Sequence, residues 1–429
     1  MEVFLATAIA LIAGLLMTRL FKLIHLHVPD VTSFLIAGIL VGPYVLGRVG
    51  IPGLGFKSME AVESLSVLSN AALGFIAFSI GNEFRLSSLK HTGKQAAVIG
   101  VVQAVMATLF VDAALIGLHF ILGPETLPLP VAITLGAIAS ATAPAATLMV
   151  IRQYKAKGPL TNLLLPIVAL DDAVGLIIFA LSIGIARALS GGDISVISIL
   201  VEPFIEIVGS LVLGAVMGVI LSLLEKLFYS NTNRMSLSIG FVLLTIAISL
   251  VKFRIGTVNI SFSSLLVCMM LGTVFCNMSE YSEDIMSRTD RWTAPLFAVF
   301  FVLSGAELEL SVFMYPAVIL IGVVYILSRC LGKYFGAFAS ASAVKCQPQI
   351  RKYLGITLFP QAGVALGMVI SAQVLGDEMG GLIRNIVLFG VLVYELVGPF
   401  MTKNALSKAG EIAEIPAEKK NRERFAGSR

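Results

Sequence analysis

Two adjacent carboxylates stand in an otherwise apolar run, Leu163-Leu164-Leu165-Pro166-Ile167-Val168-Ala169-Leu170-Asp171-Asp172-Ala173-Val174-Gly175-Leu176. On a helix, neighbouring residues point about 100° apart. Asp171 and Asp172 therefore cannot both face one ligand: one can line a cavity while the other meets a neighbouring helix. Two like charges this close and away from bulk water raise at least one carboxyl pKa, as a proton carrier working near neutral pH requires. A second apolar run carries the opposite sign, with Arg329 and Lys333 in Leu327-Ser328-Arg329-Cys330-Leu331-Gly332-Lys333. Four residues apart, they share a helical face. Glu395 sits in a third run, Val393-Tyr394-Glu395-Leu396-Val397. The balance of these five is three negative to two positive. One carboxylate is left for a monovalent cation or a proton to neutralise.

The elements that hold these residues must lie in a membrane. The 429 residues are 57% hydrophobic with a mean hydropathy of +0.95, and only 13% are charged, against roughly 25% in a soluble domain. Eleven charges crowd into residues 403–429, so the body is poorer still. This excludes a soluble enzyme, a nucleic-acid binder and a disordered scaffold. Cys268, Cys276, Cys330 and Cys346 lack disulfide or zinc spacing. The start, Met1-Glu2-Val3, lacks the basic region of a cleaved signal peptide. Thirteen runs approach the ~20 residues a bilayer needs: 3–24, 31–49, 60–81, 94–121, 128–150, 160–187, 195–228, 235–252, 257–277, 291–308, 311–342, 350–375 and 383–402. A polar tail spans 405–429. Of the 30 Lys and Arg, 22 fall in one alternating set of loops plus the tail and 6 in the other. The positive-inside rule then sets the N-terminus outside and the C-terminus in the cytoplasm; a multi-pass protein of the cytoplasmic (inner) membrane is expected.

Two spans are expected to be broken. The fifth contains Ala139-Ser140-Ala141-Thr142-Ala143-Pro144-Ala145, the twelfth Leu358-Phe359-Pro360-Gln361-Ala362-Gly363-Val364. An interior proline removes a helical hydrogen bond and clashes with the preceding turn. Non-helical backbone at this depth is tolerated beside protein or a water-filled cavity, where freed carbonyls can ligate a cation. Seven spans separate the two, so they cross the membrane in opposite directions. Paired breaks of this kind point to an inverted-repeat transporter: an all-α membrane protein with about 13 transmembrane helices and two crossing broken helices. An Arg329–Glu395 contact reads as a structural clamp. Asp112 and Glu206 read as boundary residues near the outer interface, and His25 and His27 as a helix end without a shared face.

These motifs, with Phe300-Phe301-Val302-Leu303-Ser304-Gly305 and Tyr394-Glu395-Leu396-Val397-Gly398-Pro399, resemble the monovalent cation:proton antiporter-2 family, and within it sodium/proton antiporters of the NapA type. The resemblance covers about 130–405. It implies a homodimer that exchanges Na⁺ or Li⁺ for H⁺ across the bilayer, with no cofactor and no enzymatic activity. It also implies a dimerisation domain (1–90 and 231–310), a linker helix (191–230), a moving core (91–190 and 311–404) and a cytoplasmic tail (405–429). By position, Asp172 corresponds to the shared cation and proton ligand, Asp171 to the partner of Lys333, and Thr142 with nearby carbonyls to further ligands. The Asp-Asp pair matches electrogenic members rather than the Asn-Asp of electroneutral ones. The tail carries no GxGxxG, which argues against nucleotide gating. K⁺/H⁺ exchange is the alternative on the same charges. An intramembrane aspartyl protease is disfavoured because its two aspartates lie on separate helices, and a non-transporting cation sensor would differ by the absence of flux.

Overall fold

The computed structural model describes residues 2–24, 28–49, 55–82, 84–190, 201–251, 253–255, 258–308 and 315–412. His25, His27 and the tail from 413 lie outside them. Among these residues the fold is helical: α1 (Glu2–Leu23), α2 (Asp30–Val41), α3 (Met59–Glu63), α4 (Ser66–Asn82), α5 (Leu86–Leu122), α6 (Leu129–Ile138), α7 (Pro144–Tyr154), α8 (Pro159–Leu189), α9 (Glu202–Leu224), α10 (Asn231–Ser249), α11 (Ser264–Met278), α12 (Ser282–Ala306), α13 (Pro316–Ala343), α14 (Pro348–Thr357), α15 (Gly363–Ala372) and α16 (Asp377–Lys408). Seven of these helices are long and apolar enough to cross a bilayer unaided. The chain is therefore built to cross a membrane several times.

Several expected spans are not continuous helices. The second stops at Val41, because Gly42-Pro43 follows and proline cannot continue a helical ladder. The third is split into α3 and α4 at Ser64 and Leu65. The ninth starts only at Ser264. A short antiparallel hairpin, β1 (Phe253–Ile255) with β2 (Val258–Ile260), occupies the residues before it. The fifth and twelfth are broken: α6 yields to α7 across residues 139–143, and α14 to α15 across 358–362. Pro144 occupies the first turn of α7, where its missing N–H has no intrahelical partner to lose.

The long helices that carry charge are brought together by small residues. On α13, a Cβ added at Gly332 would meet the Ala107 Cα at 2.7 Å, and one at Gly336 the Gln103 Cα at 2.8 Å. The spacing Gly332-x-x-x-Gly336 thus lets α13 lie backbone-to-backbone on α5, as small residues do between membrane helices. Lys333, next to Gly332, is carried by this contact to the centre of the protein and is fully buried. Helix α8 starts at Gly158-Pro159, with no side chain of its own to cap it. Glu411, beyond the end of α16, supplies the cap. Its carboxylate accepts from the Leu160 N–H at 2.6 Å, the Thr161 N–H at 2.8 Å and the Thr161 hydroxyl at 2.6 Å. The cap also meets the positive end of the helix dipole.

Candidate functional site

The two broken helices meet at their interruptions. The Ala143 N–H donates to the Pro360 carbonyl at 2.8 Å, and the Gln361 amide donates to the Ile138 carbonyl at 2.8 Å. The Tyr325 hydroxyl of α13 donates to the Gln361 amide oxygen at 3.0 Å. Interrupting a helix leaves its last carbonyls without partners, and here α13 supplies them. Arg329 donates from Nε to the Ala139 carbonyl at 2.9 Å, from Nη2 to Ala141 at 2.6 Å and from Nη1 to Phe359 at 2.7 Å. Its guanidinium carbon also lies 4.5 Å from the centre of the Tyr394 ring, within cation–π range. One turn on, the Lys333 ammonium donates to the Ser140 carbonyl and, at 2.9 Å, to the Thr142 hydroxyl.

Lys333 closes on Asp171. Its Nζ lies 2.7 Å from Asp171 Oδ2, and both side chains are fully buried. The Thr142 hydroxyl donates to the same oxygen. The Gln103 amide of α5 donates to Asp171 Oδ1 at 2.6 Å. Both Asp171 oxygens are thus engaged, and its charge is matched by a cation.

Asp172 is in the opposite condition. It is 2% exposed, and neither carboxylate oxygen has a hydrogen-bond partner. It lines a cavity of about 220 Å³ with Leu176, Glu206, Ser263, Met368 and Ser371. The two adjacent aspartates therefore point apart, one into a helix–helix contact and one into a cavity. Burying a carboxylate without a partner is costly. A monovalent cation or a proton at Asp172 would remove that cost.

Other expectations meet different outcomes. The Arg329–Glu395 clamp does not form among the described residues: the Arg329 guanidinium is taken up by the backbone carbonyls of the break. Glu395 is 4% exposed with Oε2 unpartnered, and it lines a separate small cavity beside Ala143 and Pro144. Backbone carbonyls that outcompete a carboxylate explain this, because the break offers several in one place. Those carbonyls are also not free for a cation in this state, and the Thr142 hydroxyl is held between Lys333 and Asp171. Gly363 begins α15, beside Gln361 and Ala362 of the break. Glu206 is not only a boundary residue; it shares the Asp172 cavity. Asp112 packs against Gly136 of α6. Sequence reasoning missed Gln103, although a lone amide within Val101-Val102-Gln103-Ala104-Val105 is a visible signal. It also missed Glu411, whose partner is 250 residues away.

A helical membrane protein with a buried, charge-lined site where two interrupted helices cross is the class this geometry defines. The chain belongs to the sodium/hydrogen exchanger transmembrane family, whose profile matches residues 7–408. It is 26% identical over 378 residues to the high-affinity Na⁺/H⁺ antiporter NhaS3 of Synechocystis sp., covering 80% of this chain and 77% of that protein. It is 23% identical over 340 residues to the Na⁺/H⁺ antiporter NhaS4 of the same organism, covering 76% and 79%. Two structures of the sodium proton antiporter MjNhaP1 of Methanocaldococcus jannaschii share the fold at 19% identity. One, determined at pH 8, has a TM-score of 0.65 and covers 96% of this chain and 97% of that one. The other, an electron-microscopy map, scores 0.71 with 95% and 98% covered.

Proposed function

We propose that the protein is a secondary antiporter exchanging Na⁺ or Li⁺ for H⁺, with Asp172 as the site both compete for. One observation carries this reading. Of two adjacent aspartates, Asp171 is fully engaged by Lys333, Gln103 and Thr142. Asp172 faces a cavity with both oxygens unpartnered. The names of the Synechocystis relatives support the same pair of substrates. Deprotonated Asp172 binds the cation, and protonation releases it. Lys333, Asp171 and Thr142 form a second charge unit one side chain away. If Lys333 gives up its proton as the cation binds, two protons move per Na⁺ and exchange is electrogenic. Each net charge then gains about 2.3 kcal/mol per 100 mV of membrane potential. The Asp-Asp pair and the Lys333 partnership favour the NapA type within the family.

The bundle is read as thirteen passes, with the three divided spans each counted once, the N-terminus outside and the C-terminus in the cytoplasm. Residues 91–190 and 311–404 form the moving core. Residues 1–90 and 231–310 form the dimerisation domain, and 191–230 the linker. The core holds Asp171, Asp172, Arg329, Lys333 and Glu395 and moves as one body in an elevator-type step, while Glu206 faces the cavity from the linker. The protein works as a homodimer in the inner membrane.

The test is exchange in sealed proteoliposomes. A pH gradient is imposed, Na⁺, Li⁺ or K⁺ is added in turn, and internal pH is followed with and without a clamped potential. Collapse by Na⁺ or Li⁺ but not K⁺, faster under a favourable potential, is the expected result. Asp172→Asn abolishes it while the protein still folds. A fully active Asp172→Asn variant overturns the assignment, and a response to K⁺ overturns the ion.

A further inference from the structure

Glu395 has no role in the site just described, yet it is a carboxylate buried at the same crossing. It is 4% exposed, and its Oε2 has no hydrogen-bond partner. It faces a small cavity bounded by Ala143, Pro144 and Ala145 at the start of α7, Ala362 before α15, and Phe300 and Phe301 of α12. That cavity holds about 20 Å³. One water molecule needs about 15 Å³, so there is room for a single water and none for a hydrated cation. Leu265 and Val364 line this cavity and also the 220 Å³ cavity of Asp172. They are the partition between the two.

Glu395 also stands at the inner end of a series of carboxylates on different elements. Glu307, just after α12, lies within electrostatic range of Glu395, and Glu63 of α3 lies within range of Glu307. Exposure falls along the series: Glu63 is exposed, Glu307 is intermediate and Glu395 is buried. Arg329 of α13 is committed to the carbonyls of the break.

We propose that Glu395 is a proton-relay carboxylate, so that H⁺ and the metal cation reach the crossing by different branches. The cation occupies the wide cavity at Asp172. The proton passes along Glu63, Glu307 and Glu395 to the single-water cavity, and crosses to Asp172 when Leu265 and Val364 part. The step balances as a transfer. Glu395 in its acid form gives a proton to the water, the water gives one to the Asp172 carboxylate, and Glu395 is left ionised until Glu307 reprotonates it. This rests on the antiport reading above.

Two transport modes in proteoliposomes test it: Na⁺/H⁺ exchange by internal pH, and Na⁺/Na⁺ exchange by tracer uptake, which needs no proton. Glu395→Gln is expected to slow Na⁺/H⁺ exchange about tenfold or more, while Na⁺/Na⁺ exchange stays within about twofold. Glu395→Asp, which keeps the carboxyl, recovers much of the rate. Glu307→Gln shows the same split in milder form and serves if Glu395→Gln fails to fold. Unchanged Na⁺/H⁺ exchange in these variants overturns the relay. Equal loss of both modes also overturns it, because a ligand or a packing group would be needed for both. A wild-type protein that exchanges Na⁺ for Na⁺ but never for H⁺ overturns the relay together with the function it rests on.

Discussion

At the residue scale, the contrast between Asp171 and Asp172 is a contrast of partners. Lys333 and Asp171 are buried together, so removing one strands the other. Lys333→Met leaves an unpaired carboxylate and is expected to cost about 3–5 kcal/mol, read as a lower thermal midpoint in detergent. The double variant Lys333→Met with Asp171→Asn removes both charges and recovers most of that loss. If the double variant is no more stable than the single one, the pair is not what holds these helices. The division of labour was partly legible in the sequence, because a helical turn of 100° forbids two neighbours from sharing a ligand. Which aspartate faces the cavity was not legible from that angle alone. It depends on where α5 and α13 press against α8, and hence on contacts of Gln103 and Gly332 that are far from α8 in sequence.

At the element scale, the helix breaks were readable because proline within an apolar run has few alternatives. Their partners were harder to read. Arg329 was expected to meet a carboxylate, since charge pairing is visible in a sequence while the demand of free carbonyls is not. Two contacts between elements carry predictions. Gly336→Leu puts a side chain where Gln103 and Met106 already stand, which forces α13 off α5. The expected result is loss of folded protein on size-exclusion chromatography, while Gly240→Leu, with open space at its Cβ, leaves it intact. Glu411→Ala removes the side-chain cap of α8. A lost cap costs about 0.5–2 kcal/mol, so a modest fall in thermal midpoint is expected, partly restored by Glu411→Asp. No change on Glu411→Ala would mean that the start of α8 is held by other contacts. Nothing in the local sequence announced this cap. Gly158 simply lacks one, and the chain brings it from its other end.

At the scale of the whole molecule, a polar cluster fastens α7 to the helices around it. Arg152 lies 2.9 Å from Asp290 of α12 and also donates to the Ser79 hydroxyl of α4. The Asp30 N–H of α2 donates to the Gln153 amide at 2.8 Å. In the proposed division, α7 belongs to the core and α2, α4 and α12 to the dimerisation domain, so motion of one against the other must break these bonds. Asp290→Asn weakens a partly buried ion pair, of a kind worth about 0.2–1 kcal/mol near the surface, and shifts the balance of states by up to about fivefold. A cysteine at Ser371, on the wall of the Asp172 cavity, reports that shift through its labelling rate by an impermeant thiol reagent. Slower labelling in the Asp290→Asn background is expected, and an unchanged rate would show that the cluster does not bias the two states. The composition foretold the membrane, but not this fastening. Arg152 and Asp290 are far apart in the chain, and nothing local to either one names the other.

The way Arg329 is held bears on how this sequence could drift. It donates to the main-chain oxygens of Ala139, Ala141 and Phe359, and every residue type has one. The two loops at the crossing are therefore free to exchange small side chains without losing their anchor, whereas the anchor has no substitute: lysine offers one nitrogen where three separated carbonyls need a fork. Saturation mutagenesis at Ala139, Ala141, Ala143 and Ala362 should accordingly read as broad tolerance among small residues, set against intolerance at Arg329 and at the two loop positions whose own side chains are bonded, Thr142 and Gln361.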